Sequence, residues 1–269
     1  MIEYTAQDHS FVICAYGENP HLPECIKSLM SQTIKSNVFM ATSTPNDYIK
    51  SLCDEYGITL FINTGDKGLA QDWNFAYESV SNSRLITIAH QDDIYESDYL
   101  STILNHINRS NRPLIAFTDY YEIRNDVKVL SNKLLRIKRL MNFALRFRIF
   151  QGCKFVRRVI LSFGSPICCP AVAYVRESLP MPIFDTSFKN DCDYKAWADI
   201  SKFKGNFIYS SKKLVGHRIY PQSATTANIQ DNSRYQEDLL ILSSFWPNFI
   251  AKAIARVYRS AEKSNDVDE

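Results

Sequence analysis

Glycine is scarce here, eight among 269 residues, and its placement excludes two common nucleotide-binding devices. The first apolar run ends in Ala15-Tyr16-Gly17-Glu18-Asn19-Pro20, without the GxGxxG turn that a dinucleotide fold needs. No GxxxxGK[ST] occurs either, so the chain has no P-loop signature. The seven cysteines form no CxxC pair, and Cys168 and Cys169 are adjacent. That pattern fits reduced thiols in a cytoplasm better than a disulfide framework, and it argues against a structural zinc site. No stretch approaches the length of a membrane span, and the start, MIEYTAQDHS, lacks a signal-peptide pattern. Charge of one sign is nearly balanced out: the net charge is +2, which implies no strong partner, and none is expected among nucleic acids. The 22% charged and 45% hydrophobic residues are those of an ordinary globular chain. Its length suits one large domain or a domain with an extension.

One local absence stands out. From Val127 to Arg176 there is no acidic residue. Lys133, Arg136, Lys138, Arg139, Arg146, Arg148, Lys154, Arg157 and Arg158 lie in this span, interleaved with Leu134, Ile137, Leu140, Phe143, Phe147 and Phe150. Such a segment, 133–158, suits peripheral contact with an anionic membrane surface. The alternative is a helix that packs its apolar side on the main domain and leaves its charges solvated.

The first half alternates between two periodicities. Apolar runs at Phe11–Ala15, Val38–Ala41, Ile58–Ile62, Leu85–Ala89 and Leu114–Thr118 read as strands. Between them, helices are expected from Asn19-Pro20, over Pro45–Tyr56 with Gly57 as the stop, over Leu69–Val80, and over Ser97–Asn108 with Ser97 as the cap. Strands alternating with helices predict βαβ units and a mostly parallel sheet. Ligands gather at the carboxyl ends of such strands. Four polar loops fall there: Tyr16-Gly17-Glu18, Thr42-Ser43-Thr44, Asn63-Thr64-Gly65-Asp66 and His90-Gln91-Asp92-Asp93. The tail from about Arg234 is helical in pattern.

The fourth loop is the most informative. A buried strand stops at two adjacent carboxylates, Asp92 and Asp93, which repel unless water, a helix N-terminus or a cation compensates them. Helix capping is the plain alternative to a cation site. Asp191 and Asp193 form a second acidic pair, which also reads as a helix start with Tyr194, Trp197 and Ala198 as its apolar face. His217 and Arg218 follow an apolar segment. They suit a metal and a diphosphate respectively, although a lone histidine is often structural.

Taken in order, these stretches resemble the GT-A glycosyltransferases of the family 2 type over most of the chain. FVICAYGENPHLPECIKSLMSQT resembles the family's opening strand and helix, and GDKGLAQDWNFAYESV its glycine-containing loop and helix. HQDD stands in the place of the DxD motif, with His90 where the family has its first Asp. FKNDCDYKAWADIS resembles the second acidic motif and VGHRIYPQSATT the closing basic segment, with Tyr220 where the family often has His.

The resemblance implies a GT-A domain over 1–228 and a C-terminal helical extension over 229–269. It implies a nucleotide-sugar donor and transfer, with inversion, to a saccharide or lipid-linked saccharide acceptor in bacterial surface polysaccharide synthesis. The expected place is the cytoplasm or the inner face of the cell membrane. Asp191 matches the catalytic base. Donor contacts are expected at Ala15, Tyr16, Glu18, Thr42, Asp66, Gln91, Asp92 and Arg218. A divalent Mn²⁺ or Mg²⁺ is expected at Asp92, Asp93 and His217, in keeping with the preference of these ions for oxygen ligands and phosphate. Two alternatives share the motifs: an inactive nucleotide-sugar-binding protein of the same fold, and a nucleotidyltransferase.

Overall fold

In the computed structural model, residues 3–220 and 233–263 are described. The Pro221–Thr226 end of the closing motif and the expected 228/229 domain boundary lie outside them. Four parallel strands build the first half of one sheet: β1 (His9–Ala15), β2 (Asn37–Thr42), β3 (Thr59–Ile62) and β4 (Leu85–His90), in the order β3-β2-β1-β4. Helices α1 (Leu22–Met30), α2 (Asp47–Tyr56) and α3 (Leu69–Ser79) connect them. The parallel run then ends. The next strands are β5 (Ile94–Tyr95), β6 (Pro113–Arg124), β7 (Val127–Val129), β8 (Val172–Val175) and β9 (Asn206–Ile219). Strand β8 is antiparallel to both β4 and β6, β6 is parallel to β9, and β9 is antiparallel to β5. The result is a mixed sheet flanked by helices.

The order of elements agrees with the sequence pattern, while several boundaries move for identifiable reasons. Asn46 caps α2 through its side chain, and Gly57 ends that helix at φ 64°, a backbone conformation that a Cβ disfavours. Asn19 does not cap α1. That helix begins at Leu22 with Pro23 in its first turn, and the Asn19 side chain instead accepts the His21 amide. Ser97 does not cap the helix α4 (Tyr99–Ile107); its carbonyl accepts from Thr33. Strand β6 runs well past Thr118, because the charges that disguise it are paired. Asp119 meets Arg139 at 2.6 Å and Glu122 meets Arg124 at 2.8 Å.

Beyond β7 the basic span folds into α5 (Lys133–Met141), α6 (Arg148–Gln151) and α7 (Lys154–Leu161). The second acidic motif opens α8 (Cys192–Ile200), and two helices follow, α9 (Ser233–Ser243) and α10 (Asn248–Lys263). Ile241, Leu242, Ala251 and Ala255 of these last helices are buried in the same core as Trp197 of α8 and Tyr174 of β8. The C-terminal helices therefore pack as part of the main body. All seven cysteines are free. Among the described residues no helix is long and apolar enough to cross a membrane.

Candidate active site

A cleft of about 1240 Å³ opens along the carboxyl ends of β1, β2 and β4 and is closed on its far side by β9, α5 and α8. The parallel order of the first strands puts their terminal loops side by side. Ala15, Tyr16, Glu18, Thr42, Gln91, Asp92, Asp191, His217 and Arg218 all line this one cleft. Gln91 fixes the first loop to β4 by accepting the Tyr16 amide at 2.9 Å and donating to the Tyr16 carbonyl at 3.2 Å.

Asp66 is the exception among the donor-binding expectations. It is exposed and does not line the cleft. A few residues on, Asp72 of α3 does line it, held by Ser43 and Asn63 at 2.8 Å each. Asp66 lies in the loop before α3, whereas Asp72 lies in the first turn of α3, next to the loop that follows β2.

The acidic pair divides in two. The antiparallel register of β5 with β9 sets Ile94 opposite Gly216, so Asp93 falls beside His217. Asp93 is fully buried. Its Oδ1 accepts the Arg218 amide at 2.9 Å and lies 3.1 Å from His217 Nδ1. Burial alone would raise the Asp93 pKa, but the His217 charge and hydrogen bond outweigh it and hold it low. The Asp93 carboxylate faces β9 and is not among the residues that line the cleft. Asp92 does face the cleft. Burial and the neighbouring Asp93 push its pKa up to about 6, against the pull of His217 and a hydrogen bond from Tyr220. Its charge is therefore poorly compensated. Neither carboxylate caps a helix. His217 is raised to about 8, because Asp93 and Asp92 overcome the opposing effect of burial.

Arg218 lines the cleft, and its guanidinium is engaged within the protein. Its Nε donates to the Asp92 carbonyl at 3.1 Å, Nη1 to Asp126 at 2.6 Å and Nη2 to Glu24 at 2.5 Å. The guanidinium thus ties the Asp92 turn to α1 and to the β6–β7 turn. His90 stacks on Trp73 with centroids 4.9 Å apart, and burial drops its pKa to about 4, so this ring is neutral.

Asp191 sits at the N-cap position of α8, yet its side chain makes no cap hydrogen bond. It lies instead 3.4 Å from Arg234 Nε of α9. Asp193 lines the same cleft, and burial raises its pKa. Lys138, Trp73 and Arg234 are cleft residues without a warning in local sequence. Lys138 is one cation among many in its span, and Arg234 reaches the site only through the packing of α9.

A family model, Glycosyl transferase family 2, matches residues 10–178, so the chain belongs to that family and is a glycosyltransferase by class. No curated protein matches it. Among solved structures it is similar to TarS 1-349 of S. aureus in complex with UDP-GlcNAc, at 13% identity and a TM-score of 0.59, covering 87% of this chain and 65% of that one. It is similar to the mannosyltransferase PcManGT of Pyrobaculum calidifontis in complex with GDP-Man and Mn2+, at 16% identity and 0.61, covering 97% and 76%. It is also similar to GalNAc-T7 with UDP, GalNAc and Mn2+, at 13% and 0.60, covering 93% and 54%. The chain spans 38% of the longer TarS chain. These likenesses establish the GT-A fold.

Proposed function

We propose that this protein transfers a sugar, with inversion, from a nucleotide-diphosphate-sugar to an acceptor hydroxyl. The observation that carries this is one cleft lined at one side by the β1, β2 and β4 loops with Asp92, and at the other by Asp191. The first side supplies a place for a nucleotide at the carboxyl edge of a parallel sheet. The second supplies a carboxylate facing the space where an acceptor would stand. In the step itself, the acceptor oxygen attacks the anomeric carbon and its proton passes to Asp191. The bond from that carbon to the phosphate oxygen breaks, and the nucleoside diphosphate leaves with the electron pair.

A divalent cation fits the donor set. Among the described residues no three His, Cys, Asp or Glu side chains converge on one point, so the protein offers few ligands and phosphate and water must supply the rest, as Mg²⁺ and Mn²⁺ tolerate. Asp92, whose charge is only partly compensated, would hold it, and His217, whose Nδ1 faces Asp93, would join it through Nε2 on giving up the proton that its raised pKa favours. When bound, the ion neutralises charge on the departing diphosphate. PcManGT and GalNAc-T7 were solved with Mn2+, which supports the same reading. The acceptor we favour is a lipid-linked saccharide in surface polysaccharide assembly, met at a membrane that segment 133–158 would contact.

The test is release of nucleoside diphosphate from UDP-GlcNAc or GDP-mannose, with and without Mn²⁺. Asp191→Asn keeps the size of the side chain. It is expected to leave donor affinity nearly unchanged and to lower turnover by about two to four orders of magnitude, the usual contribution of a positioned base. Near-normal turnover with Asn at 191 would remove Asp191 as the base.

A further inference from the structure

We propose that Glu237, on helix α9, is the positioning residue that holds the Asp191 loop in its working shape; this rests on the reading of Asp191 as the base. The Glu237 carboxylate is nearly buried, 9% exposed. One of its oxygens accepts the Lys189 amide at 2.8 Å. The other accepts the Asn190 and Asp191 amides at 2.8 and 2.9 Å. Three consecutive backbone N–H groups therefore converge on one carboxylate.

The position explains why Asp191 behaves unlike a helix-starting aspartate. A helix start leaves backbone N–H groups without intrahelical partners and attracts negative charge. An aspartate at the N-cap normally turns back to satisfy one of them. Here Asp191 does not. Glu237 supplies the negative charge at this end of α8 from another helix, while the Asp191 carboxylate lies toward the cleft beside Arg234. Arg234 lies one turn earlier on the same face of α9 and meets Asp191 Oδ1 at 3.4 Å. One helix face thus fixes both the backbone and the side chain of residue 191. Helix α9 is itself anchored by the buried Ile241 and Leu242. A charge held by three amides in a buried place is a strong restraint, and a base must keep its geometry to within a fraction of an ångström.

Glu237→Gln keeps the length of the side chain, removes its charge and turns an amide N–H₂ toward the loop donors. The expected result is a turnover about ten- to a hundredfold lower, the scale of a misplacement near 1 Å. The Michaelis constant for UDP-GlcNAc or GDP-mannose should stay within about twofold, because the donor side is untouched. Amide hydrogen exchange at residues 189–191 should accelerate while exchange in β1 and β4 stays slow. Wild-type turnover, or wild-type protection of the three amides, overturns the proposal. Should Glu237→Gln melt below the assay temperature, Glu237→Asp serves instead. It keeps the charge but draws it back by one methylene, and normal turnover there with faster exchange at 189–191 also overturns the positioning role. Asp191→Asn separates this claim from the one beneath it. Normal turnover in that variant removes the base and the positioning role together, whereas a loss there with normal turnover in Glu237→Gln removes only the role of Glu237.

Discussion

Asp92 and Asp93 are neighbours in sequence and opposites in environment. They lie in the tight turn between β4 and β5, closed by the Asp93 amide donating to the His90 carbonyl at 3.2 Å, and one carboxylate enters the cleft while the other meets the joint between β5 and β9. The sequence shows that two charges meet here and are answered by something. It does not show that β9, more than a hundred residues later, answers one of them with a histidine and a backbone amide. That pairing is a matter of register, which only the assembled sheet fixes. The two variants should therefore behave differently. Asp93→Asn leaves a buried site with a charge missing opposite His217, and should cost about 1–3 kcal/mol of stability, read as a lower melting temperature without donor. Asp92→Asn removes a carboxylate whose ionised form is already disfavoured. It should leave the melting temperature of the free protein near that of the wild type while abolishing any Mn²⁺-dependent stabilisation by UDP-GlcNAc or GDP-mannose. Equal melting temperatures for the free variants, with donor binding lost only in Asp93→Asn, would return the ligand role to Asp93.

The elements most legible in sequence are those with local signals. Strands β1 to β4 show apolar runs, and α2 shows its stop at Gly57. The half of the sheet that completes the site gives weaker signals, because its strands carry charge that distant partners neutralise. Strand β6 bears Asp119 and Glu122, matched by Arg139 and Arg124. Strand β9 contains Ser210-Ser211-Lys212-Lys213, and the register with β6 shifts there, from Thr118 opposite Ser210 to Asp119 opposite Lys213. This irregularity sets the phase in which His217 and Arg218 arrive. Just before them, Gly216 passes the Tyr121 ring so closely that an added Cβ would lie 2.7–2.8 Å from three of its atoms. Tyr121 has little room to yield, because it is buried and its hydroxyl donates to Glu96 at 2.7 Å. Gly216→Ala should therefore push β9 off β6, costing about 1–3 kcal/mol as overpacking usually does. Donor affinity should fall with it, since His217 and Arg218 move with the strand. A variant with unchanged melting temperature and unchanged donor affinity would show that the strand has slack that this packing does not suggest.

On the scale of the whole molecule, the acid-free span divides its cations between two tasks. Arg157 is buried and donates to the carbonyls of Ser201, Phe203 and Gly205. Arg139 neutralises Asp119, and Lys138 reaches the cleft with its Nζ 3.1 Å from the Tyr120 hydroxyl. Those three, with Arg158 donating to the Ser201 hydroxyl at 3.3 Å and lying over the Phe245 ring, account for the cations that pack on the main body. Lys133, Arg136, Arg146, Arg148 and Lys154 remain exposed. Beside them Leu140, Ile149 and Phe155 are 75%, 79% and 75% exposed, with Phe143 and Phe147 at half. Large apolar side chains left in water among cations of one sign are the composition of an interfacial surface. Each basic residue near an anionic bilayer contributes about 1 kcal/mol, and each large side chain that enters it about 1.5–3 kcal/mol. Neither set is large alone, so attachment should need both. The protein is therefore expected to float with vesicles of phosphatidylglycerol and phosphatidylcholine, and to bind pure phosphatidylcholine much less. Binding should fall as salt is raised toward 1 M, where the Debye length is about 3 Å. Ile149→Ser with Phe155→Ser should weaken flotation at low salt without changing donor affinity, because neither side chain lines the cleft. Equal absence from both kinds of vesicle would leave this surface without a membrane role and the acceptor without a reason to be lipid-linked.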